Sequence, residues 1–82
     1  MAKYLLMKKV SENNEAVVYE FGPDEKAMGT IEFNKAEQRF LVLESVNDGL
    51  ISNKTYEDWA AQRIIRAARE DGAFPAAMSV EA

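Results

Sequence analysis

The longest regular alternation of apolar and polar positions runs from Thr55 to Asp71, TYEDWAAQRIIRAARED. At about 100° per residue, Tyr56, Ala60, Ile64, Ala67 and Ala68 share one side of a helix, and Ala61 and Ile65 widen the stripe. Asp58, Gln62, Arg63, Arg66, Arg69 and Glu70 take the other side. The spacing predicts an amphipathic helix over 55–71, built largely from good helix formers. Thr55 is read as its N-cap, with Asp58 reaching back as in a capping box; Ser52 is the competing cap. Glu57 and Asp58 put negative charge at the positive end of the helix dipole. Gly72 can close the last turn in a left-handed conformation, and Pro75 prevents resumption.

Four stretches before the helix alternate with a period of two. Lys3 to Val10 has Tyr4, Leu6 and Val10 on one side and Leu5 and Met7 on the other. Polar residues Ser11 to Asn14 follow, with Asn13 and Asn14 suited to Asx or left-handed turns. Glu15 to Phe21 sets Val17, Tyr19 and Phe21 against Ala16, Val18 and Glu20. After Gly22-Pro23-Asp24, a strong turn signal, Ala27 to Asn34 is the cleanest strand. Ala27, Gly29, Ile31 and Phe33 face one way, Met28, Thr30, Glu32 and Asn34 the other. Gly29 can mark a bulge or a close backbone approach. Lys35 to Gln38 is of hairpin length. Arg39 to Val46 places Phe40, Val42 and Val46 opposite Leu41 and Leu43. Asn47-Asp48-Gly49 is a last turn, Leu50-Ile51 a short extension, and residues 73–82 a weak tail of small side chains.

These elements predict one α+β domain over 1–82: a four-stranded antiparallel sheet, in chain order ββββα, with one C-terminal helix packed on one face. Short connections make the first and second pairs hairpins. Strands one and four are apolar on both sides, and such strands are a hazard at an open edge. The expected spatial order is therefore 2-1-4-3, with a plain meander as the alternative. One helix covers only one face. An apolar remainder on the other face, on the order of several hundred Å², is unusual for a monomer. The expectation is a homodimer through the second sheet face or an edge strand, unless the tail with Phe74, Met78 and Val80 folds across it.

Composition narrows the chemistry. At 82 residues the core is thin. The chain has no Cys and no His. That removes disulfides, ordinary zinc or iron sites, a Ser-His-Asp triad and the usual base poised near neutral pH. The initial apolar run is too short for a signal peptide and no stretch approaches a membrane span, so the expected compartment is the cytoplasm. Glu57 and Asp58 diverge by about 100° and read as dipole residues. Asp24-Glu25 reads as turn chemistry. Asp48-Gly49 lacks the repeated acidic spacing of a calcium loop, and the four glycines form no phosphate loop. No catalytic residue, cofactor or metal is expected.

Two features of the helix remain. Trp59 lies off the apolar stripe. Either Trp59 packs flat, stacked on Arg63 or under Phe74 and Pro75, or it forms a partner surface with Arg63, Arg66 and Phe74, since Trp and Arg are enriched in such surfaces. Arg63, Arg66 and Arg69 recur every three residues. With Trp59 as a stacking platform they form a candidate anion or nucleic-acid stripe; Arg66 and Glu70 also suit an ordinary i,i+4 pair. The net charge of −4 disfavours nucleic acid. The reading that results is a non-catalytic interaction or regulatory module acting as a homodimer, with an unidentified protein as a further partner and anion or nucleic-acid binding as the alternative.

Overall fold

A computed structural model describes residues 4–23, 28–44 and 53–81. Its elements are β1 (Tyr4–Glu12), β2 (Ala16–Gly22), β3 (Gly29–Asn34), β4 (Arg39–Glu44), α1 (Asn53–Glu70) and β5 (Ala77–Glu81). The class is α+β, with every strand pair antiparallel and one helix after the first four strands. No helix among the described residues is long and apolar enough to cross a membrane.

The sheet has five strands, not four, in the order β4-β3-β2-β1-β5. The order 2-1-4-3 is therefore corrected. The first four strands form the meander, and the tail adds a fifth strand beside β1. Both differences have one cause. Met78 and Val80 alternate with Ala77 and Ser79, and Met78 turns into the core. This strand is short and rich in small residues, so its period-2 signal is weak. Once it docks, β1 is interior, as a strand apolar on both sides should be. β4, apolar on both sides as well, remains at the edge.

The turns follow their residues. The N–H groups of Glu15 and Ala16 both donate to Asn13 Oδ1 at 2.8 Å, which closes the β1–β2 connection as an Asx turn. Glu37 N–H donates to Asn34 Oδ1 at 2.9 Å in the β3–β4 turn, where Gln38 takes a left-handed φ of 55°. Gly72 has φ +66° just past the helix end, as its type and place predict. Of the two readings of Gly29, a bulge is not found in its pairing with β2, where Gly29 sits directly across from Phe21. The ladder irregularities fall at Val10 in β1 and at Leu43 in β4. Turn residues Asp24 and Asn47-Asp48-Gly49, the Leu50-Ile51 extension and Ser52 lie outside the described residues.

The core lies between α1 and one sheet face. Leu5, Met7, Val17, Tyr19, Phe21, Ile31, Phe33 and Met78 come from the strands, and Tyr56, Ala60, Ile64 and Ala67 from the helix. The helix packs on β5, β1, β2 and β3. Because α1 starts at Asn53, Thr55 lies inside the first turn rather than at the cap. The buried stripe is narrower than expected. Ile65 sits about 180° round from Tyr56 and is 37% exposed; Ala68 is exposed too. The centre of the stripe therefore lies nearer Tyr56 and Ala67, which leaves Trp59 and Arg63 half-buried on its flank.

Two adjacent isoleucines then separate the faces. Ile64→Ala is expected to cost about 2–5 kcal/mol, and Ile65→Ala less than about 1 kcal/mol. Urea unfolding of the two variants measures the difference.

Candidate interaction surface

The helix residues proposed as a partner surface are placed as follows. The Trp59 ring meets Tyr56 edge-on, with centroids 6.0 Å apart and planes at 86°, and packs against the core rather than stacking on Arg63. Phe74 turns inward beyond the end of the helix, 5.9 Å from the Phe33 ring. The Arg66 guanidinium donates to both Glu70 carboxylate oxygens, at 3.3 and 3.2 Å. Arg63 is half-buried and lines an open depression along the β5 edge with Leu6, Ala77 and Ser79. Arg69 is exposed and borders a cleft of about 160 Å³ with Phe33, Gln38, Ile65 and Ala68. Arg69 is the one charged residue of that lining, so the cleft offers no acid–base pair. Among the described residues, no group of three or more acidic, His or Cys side chains could hold a metal.

A polar cluster ties the segment between α1 and β5 to the sheet. Three successive carbonyls each accept a hydrogen bond. Phe74 O accepts from Lys9 Nζ at 2.9 Å, Pro75 O from the Tyr19 hydroxyl at 2.5 Å, and Ala76 O from Lys9 N–H at 2.8 Å. Glu12 binds Lys9 at 2.8 Å and Lys35 at 2.7 Å. Lys35 Nζ also donates to Asn13 O and lies 5.3 Å from the Phe74 ring centroid. The Phe74 and Pro75 carbonyls are part-buried, where an unpaired acceptor is costly. The arrangement is structural: it fixes where β5 starts and so sets its register on β1.

The cluster shifts two ionisable groups. Hydrogen bonds from Lys35 and Lys9 hold the Glu12 carboxyl below its ordinary value of 4.5. Burial, reinforced by the Glu12 charge, pushes the Tyr19 hydroxyl from 10.0 up to about 12, against the opposing field of Arg63.

The far face of the sheet carries Leu6, Lys8, Val18, Glu20, Thr30, Glu32, Arg39, Leu41, Glu44 and Ser79, and Val10 and Leu43 are the extra residues at the two ladder irregularities. Apolar and polar side chains alternate across the strands. Leu41 sits across from Glu32, which pairs on its other side with Val18, and Lys8 sits across from Glu20. The face is neither a dry layer nor merely polar. The largest exposed apolar side chains on the described strands are Val10, Leu41 and Leu43, at 57%, 57% and 54%. Leu41 and Leu43 lie together on β4, an edge strand. The helix-side residues of that strand, Phe40 and Val42, are only half-buried, although Phe40 packs on Phe33 at 4.7 Å between centroids. Among the described residues no strand pairs with the outer edge of β4, and apolar side chains stand on both its faces. The leucines are visible in the sequence as one side of a strand. Their exposure follows from the edge position, which local alternation does not reveal. The chain matches no protein-family model, no curated protein and no solved structure.

The shifts set the pH limits of the latch. Tyr19 binds its proton more tightly when folded, so its contribution is complete below pH 10.0 and is lost as the pH rises towards about 12. Glu12 behaves oppositely: its contribution is present above pH 4.5 and is lost as the pH falls below it. Thermal unfolding against pH is expected to decline at both ends, with Glu12→Gln flattening the acid limb and Tyr19→Phe the alkaline limb.

Proposed function

We propose that this chain is a non-catalytic interaction module that works as a homodimer, and that the β4 side of the sheet is its contact surface. The observation that carries the reading is the pair Leu41 and Leu43, each more than half exposed on an edge strand. An open edge with apolar side chains on both faces is a template for another strand. Folded proteins usually blunt such edges with charge, and here the charged residues Arg39 and Glu44 stand only at the two ends of β4. The opposite edge is different: β5 shows Ala77 and Ser79 outward, with Arg63 beside it.

Light scattering after gel filtration tests the reading. At tens of micromolar, roughly the range expected for a small interface, the chain is expected to give the dimer mass. Leu41→Lys combined with Leu43→Lys is expected to give the monomer mass with an unchanged circular-dichroism spectrum. The monomer mass for the unaltered chain, still found at about 500 µM, would remove the proposal.

A further inference from the structure

We propose that two copies pair through β4 in one particular register: antiparallel, about a two-fold axis at Leu41, so that Arg39 of each copy meets the partner's Glu44. The inference rests on the self-association proposed above and adds the geometry and the residues that specify it.

A two-fold axis normal to the sheet continues the sheet across the edge and keeps both helices on the same side. Residues that face each other across the axis must then point to the same face. In β4, Phe40 and Val42 share the helix side with Phe33 and Ile31, and Arg39, Leu41 and Glu44 share the far side with Asn34, Glu32 and Thr30. Only registers centred on a residue satisfy the condition. Centring on Leu41 sets it against the partner's Leu41, Phe40 against the partner's Val42, and Arg39 against the partner's Leu43. The Leu41 pair and the Phe40–Val42 pairs each share a face, and the two half-buried residues on the helix side cover each other. Centring on Val42 instead places Phe40 opposite the partner's Glu44. The irregularity at Leu43 turns Glu44 to the far side, since Glu44 pairs with Thr30 there, so that register mismatches faces. Centring on Phe40 leaves Leu43 without an opposing residue in the strand.

Charge selects the same register. Arg39 and Glu44 stand at opposite ends of β4, five residues apart, or about 17 Å at about 3.3 Å per residue. They are too far apart to pair within one copy, and neither has an ion-pair partner among the described residues. With Leu41 on the axis, Arg39 lies opposite the partner's Leu43 with the partner's Glu44 beside it. The pair occurs twice by symmetry, as an isologous interface requires. An unrelated strand would need this arrangement supplied from outside; a second copy supplies it from the same six residues, RFLVLE.

Two measurements on the full chain decide the matter. The chain has no Cys, so Leu41→Cys introduces a lone thiol. On the axis it faces its own copy at about 4.5–5.5 Å between Cβ atoms, and a covalent dimer is expected under mild oxidation. In Leu43→Cys the two thiols lie four residues apart along the strands, roughly 13 Å, and no covalent dimer is expected. By sedimentation, Arg39→Glu and Glu44→Arg should each weaken the dimer about tenfold through like-charge contacts, and the combined exchange should restore it. Cross-linking at Leu43 in preference to Leu41, or single exchanges without effect on a dimer that still forms, would overturn the register and leave self-association standing. A chain that stays monomeric at about 500 µM, well above the range of a small interface, would overturn both.

Discussion

One helix is narrower than the sheet it covers. With side chains a helix is about 10 Å across, whereas five strands spaced about 4.8 Å apart span roughly 19 Å. Tyr56, Ala60, Ile64 and Ala67 therefore dry a band of the sheet and not the whole of it. The band falls on β5, β1, β2 and β3, and β4 is left at its margin. The exposed flank of the helix, the cleft beside Gln38 and the half-buried Phe40 and Val42 all follow from that mismatch in width.

Where the band falls is set by the last strand. Tyr19 and Lys9 hold the carbonyls of Phe74, Pro75 and Ala76, and the chain leaves α1 already aligned on β1. Docking of β5 makes a strand of small residues the edge on that side and shifts the covered region towards it. The opposite edge is left with the larger side chains. In this way a polar cluster at the end of the sheet decides where β5 and the helix lie on it.

The helix, the first four strands and the inward sets of β2 and β3 were legible in the sequence, because periodicity reports which residues share a face. Tyr56, Ala60, Ile64 and Ala67 are buried as their spacing requires. Its limit appears at the margins. Ile65 and Ala68 were read into the stripe because a wheel defines directions but not where the band is centred; the half-buried Trp59 was read out of it for the same reason. Thr55 has the chemistry of a cap, yet the helix begins two residues earlier. β5 was read as a tail, since Ala77 and Ser79 carry little strand preference and its partner, β1, is remote in the chain. The rule that strands apolar on both sides avoid edges placed β1 correctly and β4 wrongly. That exception is the basis of the proposed pairing: a strand that breaks the rule in the monomer satisfies it once another strand lies alongside.

Hydrogen exchange resolved by residue, at two concentrations, tests the account most directly. From about 5 to about 500 µM, the range that brackets a small interface, the account predicts slower exchange for β4 amides that face the open edge and unchanged exchange along β5. Equal rates for β4 at both concentrations would show that its edge stays open, and would contradict the claim that the strand left uncovered by the helix is completed by a second copy.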